Sequence, residues 1–225
     1  MIKLQDVTLL GVDGGGNRPL ITKAMQISKK NIKFSECILL SPHNNYDFFD
    51  DIKHIKIPKL NYAEWNRFMI KELHNYVSTN HYIFVDTDGF IINSNLWDNE
   101  YLNYDYVGAS WLHGEFEGLS VGPHQNYANI ENIICKNDVG NGGFTLRSKK
   151  LLNIIKYLPY DELPPKILNE DAYICIKNYD ILSYLGIKFA PTDLAKKFSI
   201  EKLGLPDPEK SFGFHGNKNF INLFN

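Results

Sequence analysis

Apolar positions along the chain follow two rhythms. Short runs of β-branched and aromatic residues bounded by Gly, Pro, Asn or Asp mark strands, and apolar residues three and four apart mark helices. On this reading Val7-Thr8-Leu9-Leu10-Gly11-Val12 is a first strand, followed by the glycine loop Asp13-Gly14-Gly15-Gly16-Asn17 and a helix from 18 or 19 to 30. Residues 36–41 and 52–57 give two further strands. From Asn61 onward, Trp65, Phe68, Met69, Leu73 and Tyr76 or Val77 share one stripe, which predicts an amphipathic helix over 61–77 capped by Asn61. In the stretch from His81 to Ile92 the apolar run predicts a buried central strand that ends at Asp86-Thr87-Asp88, where Gly89 allows a sharp turn. The resulting order, βαββαβ, is that of a mainly parallel sheet.

The second half is less regular. Residues 96–102 predict a short helical or turn segment and 106–111 another strand. Residues 112–137 have no periodicity and are long for a connection, which predicts a flap that orders on substrate, with plain disorder as the alternative. Phe144-Thr145-Leu146 returns to strand, Ser148 caps a helix over 149–157, and Asn169-Glu170-Asp171 opens the helical apolar run 172–176. Residues 187–191 predict a late strand, and the polar tail 217–225 is expected to fray. The whole predicts an α/β fold: one domain over 1–225, with a central mixed, mostly parallel sheet and helices on both faces.

The 24 basic and 26 acidic residues leave a net charge of −2, so no global field argues for a nucleic-acid partner. Asp6 interrupts the N-terminal segment, which makes it a poor secretion signal. No apolar run approaches the roughly 20 residues of a transmembrane segment. Cys37, Cys135 and Cys175 are widely spaced, as expected of buried thiols in a reducing compartment.

The chemistry concentrates at a few places. Asp86-Thr87-Asp88 ends the central strand, where residues two apart face the same side. Two hard oxygen ligands there suit Mn²⁺ or Mg²⁺ with positions open for a diphosphate. The same residues before Gly89 also make ordinary turns. Gly140-Asn141-Gly142-Gly143 lets a backbone come close to a ligand. Glu170 and Asp171 stand at a helix start, which holds carboxylates ionised and suits a base or a metal-phosphate site. Glu64, Asn66 and Arg67 either reach a ligand or form a solvated face. His215, between aromatics and glycines, reads by itself as structural.

Rival motifs fit poorly. Gly11 to Gly16 resembles the phosphate loop of actin-like sugar kinases, but Asn17 and Pro19 follow it and the chain is short for that fold. Val85 to Gly89 resembles the nucleophile motif of haloacid-dehalogenase phosphatases, but Phe90 follows where Thr is expected. A nucleotidyltransferase needs a basic glycine-rich signature after the first strand, and none is present.

Taken in order, Asp86-Thr87-Asp88, Gly140-Asn141-Gly142-Gly143, Asn169-Glu170-Asp171 and His215 resemble the GT-A fold of nucleotide-sugar glycosyltransferases. The strings Glu64-Trp65-Asn66-Arg67-Phe68 and Phe212-Gly213-Phe214-His215-Gly216 resemble, more narrowly, a glycosyltransferase-like family of bacterial polysaccharide loci and viruses. The resemblance implies a Rossmann-like GT-A domain and a metal ion, Mn²⁺ or Mg²⁺, at Asp86 and Asp88 with His215. Thr87 would lie in the same donor site, Gly142 and Gly143 would line the sugar pocket, and Val12, Asp13 and Gly14 would face the base and ribose. Asp171 would be the general base, with Glu170 its neighbour or the two roles exchanged. It further implies a UDP- or GDP-type donor and a glycan or glycolipid acceptor. If Asp171 is the base, direct displacement inverts the anomeric carbon, and the lack of a secretion or membrane signal predicts a cytoplasmic location, peripheral to a membrane where glycolipid acceptors are made. A non-catalytic nucleotide-sugar or glycan binding module and a nucleotidyltransferase stay open beside it.

Overall fold

The computed structural model describes residues 1–16, 18–43, 51–110, 139–160, 169–201 and 209–216. The expected flap 112–137 and tail 217–225 lie outside them. Strand β1 (Ile2–Val12) leads into helix α1 (Arg18–Ser28), then β2 (Ile32–Ser41), β3 (Lys53–Lys56), α2 (Tyr62–Lys71), β4 (His81–Val85), β5 (Gly89–Ile91), β6 (Tyr106–Val107) and β7 (Phe144–Ser148). Helix α3 (Lys149–Ile155) follows. A single helical turn, α4 (Glu170–Ala172), continues into a π-helical turn, Tyr173–Lys177. The chain ends in α5 (Tyr179–Tyr184), α6 (Thr192–Phe198), β8 (Ser199–Glu201) and β9 (Gly213–His215).

Six strands form one sheet in the order β3-β2-β1-β4-β7-β6, in which β1 is parallel to both β2 and β4 while β7 is antiparallel to β4 and β6. Alternation along the strands divides the apolar residues between two cores. Leu9, Ile83 and Val85 pack with α1 residues Ile21, Ala24 and Met25 and with Phe90, Phe212 and Phe214. Leu10, Tyr82 and Phe84 pack on the other face with Phe68, Met69, Leu151, Leu152 and Ile174. Helices therefore cover both faces of a mixed α/β sheet, as the pattern predicts.

Several boundaries differ from the sequence reading, each for a tertiary reason. Strand β1 starts at Ile2, before its apolar run, because Ile2 pairs with Ile32 and Leu4 with Phe34 ahead of a register shift. The central strand ends at Val85, immediately before the acid pair expected at its end. Asp86 N donates to Gly89 O (2.9 Å) and Gly89 N to Asp86 O (3.3 Å), which closes a tight turn. Beyond it, β5 joins a second sheet of order β5-β9-β8. The strand expected at 187–191 reduces to a single bridge between Phe189 and Tyr106, at the edge of the main sheet. Helix α2 stops at Lys71, and a 3₁₀ turn at Leu73–Asn75 completes the expected span. Its N-terminus is a capping box: Glu64 N donates to Asn61 Oδ1 (3.0 Å) and Asn61 N to Glu64 Oε2 (2.8 Å).

Candidate active site

The carboxyl ends of β1 and β4 lie along one edge of the sheet, where open α/β folds bind ligands. Because β7 runs antiparallel to β4, with Val85 opposite Phe144, the glycine turn before β7 reaches that same edge. Three groups of side chains meet there.

The first is a buried acid nest. Arg147 on β7 is 0% exposed and Glu170 3% exposed. Arg147 Nη2 donates to Glu170 Oε1 at 2.6 Å and Arg147 Nε to Thr145 Oγ1 at 2.9 Å. Its guanidinium lies 5.1 Å from the centre of the Tyr106 ring. Glu170 N donates to Asn66 Oδ1 (2.8 Å), and Asn66 Nδ2 donates to Tyr62 O (2.8 Å), so the first turn of α2 is tied to the acid segment. A buried ion pair of this kind, broken by removing one partner, costs about 3–5 kcal/mol. Asp171 is partly exposed. Its Oδ2 accepts from Gly142 N (2.9 Å) and its Oδ1 from Ala172 N (2.7 Å). Desolvation, followed by the neighbouring Glu170 charge, raises the Asp171 carboxyl to about 7, against the opposing pull of these backbone N–H groups and Arg147.

The second group stands on the other side of the glycine turn. Pairing of β5 with β9 sets Gly89 opposite His215. His215 Nε2 comes within 3.6 Å of Asp88 Oδ1, the two side chains being 22% and 16% exposed, and Gly216 N donates to Asp88 O (2.9 Å). Asp86 and the buried Thr87 complete the same turn, with Thr87 N donating to Asp86 Oδ1 (2.6 Å). Asp88 and His215 are thus brought together. No three His, Cys, Asp or Glu side chains among the described residues form a group able to hold a metal.

Gly142 and Gly143 join the two groups. A Cβ on Gly142 would lie 2.3 Å from Glu170 Oε1, and one on Gly143 2.0 Å from the His215 ring. Asn141 before them adopts φ 66°, a left-handed conformation that Asn tolerates through local hydrogen bonds. Here its Oδ1 accepts from Gly143 N (3.1 Å) and its carbonyl from Tyr106 Oη (3.0 Å).

The third group surrounds the glycine loop after β1. Asp13 is buried, and its Oδ1 accepts from Gly15 N (2.8 Å) and Gly16 N (2.9 Å), so the carboxylate shapes the loop from within. Gly14 O accepts from Leu60 N (2.9 Å), and Val12 O accepts from Trp65 Nε1 (3.3 Å). A cleft of about 310 Å³ opens between Gly14, Gly15, Lys59, Tyr62 and Trp65. Tyr62 is 54% exposed and its hydroxyl donates to Asn169 Oδ1, which links this cleft to the acid nest.

Sequence reasoning did not single out Arg147, Tyr62 or Trp65 as site residues. Of the polar triplet on α2, Asn66 holds Glu170, whereas Glu64 caps the helix and Arg67 pairs with Glu72 at 3.2 Å. The available signal for Arg147 was its place between Leu146 and Ser148 in a short strand, and nothing in that string says which core the strand faces.

Residues 51–215 match the family described as Protein of unknown function (DUF5672). The chain belongs to that family. No curated protein matches its sequence. Among solved structures, an active-site mutant of LgtC is similar at 14% identity and a TM-score of 0.50, over 92% of this chain and 86% of that one. The galactosyltransferase LgtC with donor and acceptor sugar analogs gives 13% identity and 0.49 over the same shares. A glycosyltransferase involved in glycosylation of the major capsid of PBCV-1 gives 10% and 0.49 over 97% of each chain. At such identities the likeness is one of fold: the α/β architecture described above is shared with the LgtC mutant structure. No helix among the described residues is long and apolar enough to cross a membrane.

Proposed function

We propose that this protein transfers a sugar from a nucleotide-diphosphate donor to a hydroxyl of a glycan or glycolipid acceptor, with a divalent metal ion and with inversion. The observation that carries the reading is the Gly142-Gly143 turn. Asp171, with its carboxyl raised to about 7, bonds to one side of it, and the Asp88–His215 pair stands on the other.

Asp88 and His215 offer an oxygen and a nitrogen 3.6 Å apart, a donor set and separation that suit Mn²⁺ or Mg²⁺ coordinated at about 2.1 Å, with Asp86 on the same turn. Such an ion supplies positive charge to the diphosphate oxygens as the leaving group departs. The protein's own groups do the rest. In the cleft, Tyr62 and Trp65 offer aromatic faces for the base beside Gly14, with the buried Val12 and Asp13 directly before it in the chain. Asp171 takes the acceptor hydroxyl proton as the acceptor oxygen bonds to the anomeric carbon and the C–O bond to the diphosphate breaks. Each carboxylate oxygen has a second lone pair beyond the one that its backbone N–H occupies, so a proton can be accepted without dismantling the nest. Attack opposite the leaving diphosphate inverts the anomeric centre. A cytoplasmic enzyme working at a membrane surface fits a glycolipid acceptor.

The test is a thermal-shift series of the purified protein with UDP, GDP, CDP and dTDP nucleotides and their sugars, each with and without Mn²⁺. A ligand that binds only the folded state raises its stability by mass action. A Mn²⁺-dependent shift with UDP- or GDP-type compounds is expected. A folded protein that shifts with none of them overturns the reading.

A further inference from the structure

The contacts around Asp171 close into a ring. Arg147 Nη2 donates to Glu170 Oε1 (2.6 Å), Asp171 N donates to Glu170 Oε2 (2.7 Å), Gly142 N donates to Asp171 Oδ2 (2.9 Å), and Gly142 O accepts from Arg147 Nη2 (3.4 Å). Two of the links, Arg147 to Glu170 and Gly142 to Asp171, join distant stretches of chain, so the ring locks the start of α4 to β7 and the turn before it. We propose that Arg147 is a positioning residue for Asp171: acting through Glu170, it fixes where the Asp171 carboxyl stands against the Gly142 turn and how readily that carboxyl holds a proton. The assignment rests on Asp171 being the proton acceptor of the proposed transfer.

The arrangement has a physical logic. A buried carboxylate is expensive unless it is paired, and Glu170 finds its partner in Arg147. Both Glu170 oxygens are then occupied, one by the guanidinium and one by Asp171 N, so Glu170 is anchored while Asp171 keeps part of its surface open. The anchored charge beside Asp171 disfavours a second negative charge, and Arg147 opposes it from a smaller share of the balance. Other titratable groups around Asp171 are Tyr62 on α2, Tyr106 on β6 and Cys175 on the π turn. Desolvation, first among the causes, raises all three, so they are neutral through the range in which Asp171 titrates. Glu170 and Arg147 are the charges left to act on it. The ring also accounts for Gly142, since Glu170 Oε1 occupies the space a Cβ would need.

The experiment follows the Asp171 side-chain carboxyl carbon by NMR across pH in the free protein, with Asp171→Asn giving the assignment. Glu170→Gln removes the charge that raises Asp171 and leaves Arg147, which lowers it. The midpoint is expected to fall by at least about one pH unit, a tenfold change in the ionisation constant. Arg147→Lys keeps the positive charge and should hold the midpoint near the wild-type value. If Glu170→Gln does not fold, the double variant Arg147→Gln with Glu170→Gln buries no ion and is also expected to titrate lower, because the larger of the two influences is gone. An unmoved midpoint in whichever charge-removing variant folds overturns the proposal. The readout needs no turnover. A lowered midpoint in a protein that shows no transfer would uphold the ring and sink the glycosyltransferase reading, whereas transfer with an unmoved midpoint would do the reverse.

Discussion

The two acidic regions flanking the Gly142-Gly143 turn are built on opposite principles. Around Asp171 and Glu170 the protein brings its own cation, the 0% exposed Arg147, and fills almost every hydrogen-bonding position from within. At Asp88 and His215 the side chains stay partly exposed, at a two-residue turn between sheets, where the balancing charge can come from solution. A carboxylate buried by the fold must be neutralised by the fold. One left at a turn can take its partner from a ligand. On the proposed function, the first region would hold the proton and the second the ion.

That contrast can be broken by mutation. The largest effect is expected from Asp171→Asn, which keeps the shape of the nest and removes its base. Transfer should fall by about 10²–10⁴-fold while nucleotide binding persists, and unchanged turnover would take Asp171 out of the chemistry. In the wild type the base works only when ionised, so with its carboxyl at about 7 the rate should drop roughly tenfold for each pH unit below that value and level off above it. A profile flat down to pH 5 would deny the raised carboxyl a role. Next comes Asp88→Ala. The Mn²⁺-dependent part of nucleotide affinity should weaken by more than about tenfold, with the acid nest and its titration untouched. Equal affinity in the variant would remove Asp88 from the ion site. The smallest and sharpest comparison sets Gly142→Ala against Gly143→Ala. The first pushes a methyl against Glu170, which Arg147 clamps, and should cost about 1–3 kcal/mol in urea denaturation. The second meets the partly exposed His215 ring beside Asp88, so its cost should appear in Mn²⁺ affinity more than in stability. Equal stability losses in the two would erase the distinction.

Much of this layout is legible in the amino-acid order. Alternating apolar residues in β1 and β4 and the Asn61 stripe of α2 dictate a two-faced sheet with helices on both sides, because strand and helix periods follow from backbone geometry alone. Asp86, Asp88, Gly142, Gly143, Glu170 and Asp171 stand out as chemistry at element ends for the same local reason. Local pattern does not carry across distance. His215 reads as structural until pairing of β5 with β9 sets it opposite Gly89 and beside Asp88. The central strand visibly ends at its acid pair, but nothing local says that the residues after Gly89 join a second sheet, since a run of apolar residues does not announce a change of sheet. Arg147 is one polar position in a short strand, and only its pairing with the distant Glu170 gives it a place in the site. The sequence by itself determined most of the strands and helices of the main sheet and which residues carry the acids, because those choices rest on neighbours a few positions away. Which acid is clamped and which stays open to a ligand was decided by tertiary structure, because burial and charge pairing depend on residues more than twenty positions apart, such as Arg147 with Glu170.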